Sequence, residues 1–414
     1  MSIKNHLTVF EHDTLRVDEN SMLSQTQLEA LQRFYGTNGV PYYSLVHKGV
    51  RFCEYVGVLQ VGNLTIEVLP KINKITAKEN EWQALLIDML RFSGILEVET
   101  PSSANLKVKS NFILDVYIEL FVHECEQLLR RGLVKKYRQT SGNIKSLKGS
   151  LQFASHIKEN IVHQERFYCR FTTYDIENLF NQILYQALLL IEQINTSSLL
   201  TGRISYLLLS FPEMQNLKVT DATFSRLILN RKTAHYSKGI EIARLLLLNY
   251  HPDVVKGREN VLALMFNMNK LWELFILKAL RRQSQKSIKI HAQRKAKFWE
   301  SNKEVGYKIL KPDIVVEGLM REGKEETIIL DTKWKLPPDN KPSDSDLKQM
   351  FAYNEIFDAK ASYLIYPSNE SKQVSGAYNK KNTTCHLIFL DILDPGKKLN
   401  KEVGLGLMRL IFKA

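Results

Sequence analysis

Cysteine is scarce. The chain has four in 414 residues, Cys53, Cys125, Cys169 and Cys385. They are widely scattered and form no CxxC pair, which speaks against a disulfide framework and a zinc ribbon. Long apolar runs are missing too. None approaches the ~18 residues that span a bilayer, and the opening MSIKNHLTVFEHDTL holds no apolar signal core. A reducing cytoplasm is the compartment these absences suggest. Acids are outnumbered: 44 Asp and Glu stand against 57 Lys and Arg, a formal net charge of +13. Such an excess either serves solubility or suits a polyanionic partner, nucleic acid first and an anionic membrane surface second. No G-x-x-x-x-G-K-[ST] phosphate loop occurs. Gly142 to Ser150, GNIKSLKGS, comes nearest and lacks the closing Gly-Lys-[Ser/Thr]. Nucleotide-driven work would have to come from another chain.

What is present is core material: 44% hydrophobic and 10% aromatic residues. A single core stops growing near ~250–300 residues, so two or three domains are expected. Residues 1–78 read as β-rich. They include a small helix from Ser24 to Phe34 and a hairpin, Val50 to Val61 and Leu64 to Leu69, turned by Gly62-Asn63. Residues 79–255 read as a helical middle domain, with apolar spacing over Glu79 to Phe92, Asn111 to Arg131, Asn178 to Ile194 and Ile240 to Leu248. Within it, Arg130 to Lys148 is basic, either a solvated face or one that meets phosphate or a partner. From 256 to 414 the period changes. A long helix is predicted over Val261 to Arg281 and another over Asp344 to Phe357. Strands are predicted over Tyr307 to Leu310, Ile314 to Val316, Thr327 to Leu330, Ser362 to Tyr366 and His386 to Leu390. The fold class is therefore α+β and multidomain, ending in an α/β domain with a central mixed sheet. The histidines show no metal spacing. Trp299 lies in a basic stretch, where it serves the core or stacks on a base.

The densest chemistry lies in Lys311 to Lys335, KPDIVVEGLMREGKEETIILDTKWK. Asp313 precedes one β-branched run and Asp331 ends another. Lys333 follows two residues on, so it shares a strand face with Asp331. Two carboxylates and a lysine meeting at a sheet edge suit a Mg²⁺ ion with a charged group beside its bound water. Glu273, on the preceding helix, is a candidate additional ligand, and Gln349, on the following helix, a candidate partner for the water or for Lys333. A lone D-x-K is a weak signal, often a surface ion pair. Here each acid abuts an apolar strand, and helices bearing Glu273 and Gln349 flank the pair.

These residues resemble the PD-(D/E)XK nuclease superfamily, with Asp313, Asp331 and Lys333 at its two acids and lysine. More of the chain is similar to the McrC family: YVGVLQVGNLTIEVLPKI from Tyr55, LLIDMLRFSGIL from Leu85, GLVKKY from Gly132, LKGSL from Leu147, FNMNKLWELFI from Phe266 and QMFAYNEIF from Gln349. Trp272-Glu273 stands where that family commonly has Phe-Glu, and Phe351 where it more often has Tyr. Residues 199–260 carry no matching motif. The resemblance implies an endonuclease subunit of a modification-dependent, GTP-driven restriction complex, cutting double-stranded DNA with Mg²⁺. It implies a McrB-like AAA+ GTPase partner whose GTP hydrolysis the chain stimulates, paired nuclease domains for a double-strand break, and no membrane. Two other readings stay open: a non-cleaving basic adaptor that docks on and activates the AAA+ partner, and a restriction subunit for an unmodified sequence. For the partner contact, the Tyr55 to Lys71 hairpin and the Arg130 to Lys148 stretch are the candidates.

Overall fold

The computed structural model describes residues 5–18, 22–37, 39–71, 78–95, 112–251, 260–284, 287–301, 306–321, 324–379 and 381–413. The chain divides into two compact units. One gathers Met1–Ile113, Asp253–Val261 and Met265–Ala414; the other holds Leu114–Pro252 and Leu262–Leu264. This differs from three consecutive domains over 1–78, 79–255 and 256–414: the N-terminal segment shares a unit with the C-terminal one.

In the first unit, β1 (Asn5–Phe10) and β2 (Thr14–Arg16) precede α1 (Gln25–Tyr35). Ser24 caps α1. Its hydroxyl accepts from the Gln27 amide, and the Gln27 side chain accepts from the Ser24 amide. β3 (Tyr43–Val46) and β4 (Gly49–Phe52) join β2 in a small sheet ordered β2-β4-β3. β5 (Tyr55–Val61) and β6 (Leu64–Leu69) form the expected hairpin, and Gly62 at its turn takes a φ of 56° that favours glycine. Both strands are buried almost throughout. The hairpin is therefore core, with little surface to offer a partner. β1 runs parallel to β6, and α2 (Glu79–Phe92) follows.

α3 (Ile113–Arg131) leads into the second unit, which is not all-helical. β7 (Lys136–Ile144) has β8 (Ser150–Leu151) and α4 (Phe153–Asn160) after it, and pairs along its length with β9 (Phe167–Asp175). The basic stretch is thus a strand ribbon. Its sequence, KYRQTSGNI, hides the strand because neither face is fully buried. Helices α5 (Leu179–Ile194), α6 (Ser198–Ser210), α7 (Asp221–Ser225) and α8 (Ser237–Leu248) follow, then β10 (Tyr250–His251). Buried Asn181 on α5 donates to the Val134 and Ile176 carbonyls and accepts from the Tyr236 hydroxyl. That hydroxyl accepts in turn from the Val134 amide, so the root of the ribbon is fastened to α5.

Next comes β11 (Val261–Asn267), a strand beside β5 where a helix is predicted. Its first four residues are buried, and burial overrides the helix preference of Leu, Ala and Met. Asn267 then caps α9 (Met268–Gln283), accepting from the Lys270 amide at 3.0 Å. The remaining elements are β12 (Lys289–Ala292), β13 (Ala296–Glu300), β14 (Tyr307–Leu310), β15 (Ile314–Arg321), β16 (Lys324–Thr332), α10 (Asp344–Ile356), β17 (Ala361–Ser368), β18 (Lys372–Ala377), β19 (Thr384–Asp391) and α11 (Val403–Lys413). Six of these strands form the central mixed sheet, ordered β12-β15-β16-β17-β19-β18. β12, β15 and β16 run antiparallel, β16, β17 and β19 parallel, and β18 antiparallel to β19. The parallel step from β16 to β17 needs a crossover, and α10 supplies it. Val315, Ile329, Leu364 and Phe389 of the sheet pack with Met350 and Tyr353 of α10. On α9, Trp272 is buried and its Nε1 donates to the Ile365 carbonyl at 3.3 Å.

Candidate active site

β15 and β16 pair with Ile314 opposite Leu330. Asp313, just ahead of β15, and Asp331, near the end of β16, therefore adjoin at one end of the ladder. Asp331 is 3% exposed. Asp313 Oδ2 accepts from both the amide and the hydroxyl of Thr332, each at 2.8 Å. The Lys333 amide donates to the Ile365 carbonyl, so β17 holds the chain straight beyond β16. Lys333 Nζ then lies 2.8 Å from Asp331 Oδ2 and 3.3 Å from Asp346 Oδ1, and donates to Gln349 Oε1 at 3.4 Å. Gln349 Nε2 donates to the Tyr353 hydroxyl at 2.8 Å, and that hydroxyl to the Lys311 carbonyl. Glu273 on α9 accepts from Gln293 Nε2 at 2.8 Å.

All five residues singled out from the sequence, Asp313, Asp331, Lys333, Gln349 and Glu273, line one cleft of about 1010 Å³, as does Lys335. The same cleft holds residues that sequence reasoning missed. Asp346 sits three positions before Gln349 on α10, so helical spacing was an available signal. Glu11, Asp13, Glu54 and Lys71 also line it, from a segment with no catalytic cluster of its own in the sequence. Glu11 Oε1 accepts from Trp334 Nε1 and from the Lys71 amide, each at 2.8 Å.

Electrostatics follow from crowding. Burial pushes the Asp331 carboxyl up to about 7; the charge of Asp313 adds to this and Lys333 opposes it. Burial, then Asp313, also raises Glu273. Burial works against the Lys333 ammonium, but Asp331 and Asp346 outweigh it and hold Lys333 above its ordinary value. Burial likewise opposes the Asp346 carboxylate, yet the Ser343 hydroxyl and Lys333 keep it below the usual range. A wall of carboxylates that resist joint ionisation favours a cation. An all-oxygen donor set suits Mg²⁺, which takes one or two carboxylates and completes its shell with water and substrate phosphate. Among the described residues no group of three His, Cys, Asp or Glu stands assembled to hold a metal. The expected ligand set of Asp313, Asp331 and Glu273 is thus not one ready cluster. The two strand acids fit the ion, and Glu273 is engaged with Gln293.

Residues 50–367 match the family described as McrBC 5-methylcytosine restriction system component. The chain belongs to that family. Among relatives of this McrBC component, the Type IV methyl-directed restriction enzyme EcoKMcrBC of Escherichia coli strain K12 is 25% identical over 185 residues. The match covers 44% of this chain and 53% of that protein, so the chain spans about half the length of the relative. A refined half-complex from the tetradecameric assembly of Thermococcus gammatolerans McrB AAA+ hexamers with bound McrC has the same fold. Its TM-score is 0.72 at 19% identity, over 99% of this chain and 100% of the other. The cryo-EM structure of the Thermococcus gammatolerans McrBC complex gives a TM-score of 0.51 at 21% identity, covering 67% and 88%. No helix among the described residues is long and apolar enough to cross a membrane.

Proposed function

We propose that the chain is the Mg²⁺-dependent DNA endonuclease subunit of a modification-dependent restriction complex, of the PD-(D/E)XK type. The observation that carries this reading is the placement of Asp313, Asp331 and Lys333 at one end of the β15–β16 ladder, inside a cleft. When bound, a Mg²⁺ ion supplies charge stabilisation for a phosphodiester under attack. Asp313, oriented by Thr332, and Asp331 would hold that ion. Lys333 stays charged between Asp331 and Asp346. Its part is to orient the attacking water and stabilise developing negative charge, not to remove a proton. Gln349 fixes Lys333 from α10. The family, and the larger structural relative in which McrC is bound to McrB AAA+ hexamers, support an AAA+ GTPase partner for this chain. Its lack of a phosphate loop accords with GTP binding elsewhere.

The test is to co-purify the chain with an McrB-like partner and assay methylated and unmethylated plasmid with GTP and Mg²⁺. Wild type is expected to cut and Asp331→Ala to lose at least about 100-fold. Equal cutting by the two would disprove the site. GTP turnover raised without cutting would favour the adaptor reading, and cutting of unmethylated DNA a sequence-specific target.

A further inference from the structure

The chain leaves the central sheet at Ala292 and returns at Ile314, and these two residues pair with each other across β12 and β15. The excursion between them is the β13–β14 ribbon, a two-stranded sheet of its own. Its root is bolted to the candidate site. The Gln293 amide donates to the Asp313 carbonyl at 2.9 Å, Gln293 Nε2 to Glu273, and Lys311 Nζ to Gln293 Oε1 at 3.1 Å. The ribbon therefore begins at the residues that line the cleft.

Its composition is wrong for solvent. Apart from Ala296 and Leu310, every residue of both strands is exposed, including Phe298 at 52% and Trp299 at 50%. Trp299 lies opposite Lys308, and Lys297 opposite Ile309; the register shifts between these pairs, at Phe298. Opposed residues share a face, so Trp299 and Lys308 stand on one face and Tyr307, Ile309 and Lys297 on the other. The bulge re-aims Phe298. Lys295 adds charge at the root. Glu300 is the only acid among the described residues of 295–310, and Lys297 already neutralises it at 3.0 Å. A two-stranded ribbon is marginal alone in water, and one that is apolar on both faces calls for a partner. The partner is polyanionic by charge and must admit a narrow ribbon. A major groove about 12 Å wide does so, and strands of five and four residues reach roughly 15 Å along it.

We propose that the β13–β14 ribbon is the duplex-gripping arm of the site. It enters a groove of double-stranded DNA, with Lys295 and Lys308 on flanking phosphates and Phe298 and Trp299 against sugars and base edges. It thereby carries the backbone to Asp313 and Asp331. Naming DNA rests on the nuclease reading; the ribbon's role in binding is read separately.

The test uses the full-length chain in EDTA and a short fluorescent duplex, with affinity measured across a salt series. Lys295→Ala/Lys308→Ala should flatten the dependence of log affinity on log salt by about one unit per lysine. Phe298→Ala/Trp299→Ala should weaken binding roughly tenfold with the salt slope unchanged. Both variants should melt at the wild-type temperature. Binding in EDTA needs no cleavage, so a failure of cleavage chemistry and a failure of the arm are told apart. Wild-type duplex affinity in both ribbon variants overturns the proposal. So does a loss confined to RNA, or an altered sedimentation coefficient without DNA, which would make the ribbon a contact between copies.

Discussion

Glu11 is 2% exposed and holds the indole of Trp334, a few residues past Asp331 and Lys333 along the chain. Burial, the largest cause, raises its carboxyl from 4.5 to about 7. A folded-state value above the unfolded one means the stabilisation is fully present below about 4.5 and is lost as pH rises through about 7. Glu11→Gln keeps both acceptor contacts and removes the titration. Denaturant unfolding should therefore find Glu11→Gln level with wild type at pH 4 and more stable at pH 8, by at most about 3 kcal/mol. A difference independent of pH would contradict this. At this scale the site was half legible. Asp313, Asp331 and Lys333 announce themselves because charges beside apolar strands are unusual. Thr332 gave no signal, since a threonine ending a strand is ordinary. Glu11 gave none because its partner lies 323 residues away, beyond any spacing rule.

Elements were legible where one physical preference dominated. β5, β6, β15, β16, β17 and β19 are apolar runs between turn residues, and α2 shows unbroken helical spacing. β11 was hidden because Leu, Ala and Met also suit a helix and α9 follows without a break. β7 and β13 were hidden by charge, since a strand without a buried face has no alternation to read. α10 was visible through its cap, and that cap matters twice. The Ser343 hydroxyl accepts from the Asp346 amide at 3.1 Å and donates to Asp346 Oδ2 at 2.7 Å. Ser343→Ala should cost about 1 kcal/mol of stability by denaturant titration. It should also lower cleavage, because Asp346 then loses the hydroxyl that aims it at Lys333. Full cleavage activity in a destabilised variant would show that the aim of Asp346 is immaterial.

At the scale of the whole molecule, the site is not the property of the C-terminal segment alone. β11 lies beside β5, and Glu11, Asp13, Glu54 and Lys71 share the cleft with Asp313 and Asp331. A fragment covering 256–414 should therefore fail to fold cooperatively, seen as a broad thermal transition by circular dichroism and as aggregation by light scattering. A sharp melt in that fragment would refute this account. The sequence suggested a linear order of parts because its composition changes in that order; a first unit assembled from segments separated along the chain leaves no local trace.

That interrupted layout has a consequence for biogenesis. β1, β5 and β6 leave the ribosome long before β16. At about 5–20 residues per second, Glu11 waits tens of seconds for Trp334 to be made. In that interval the apolar strands of the amino-terminal end have no lasting shelter, while the inserted unit can already collapse. Shielding of nascent β5 and β6 by a holdase, or faster translation of residues 114–334, should raise the yield of active protein more than any stabilisation of the finished fold.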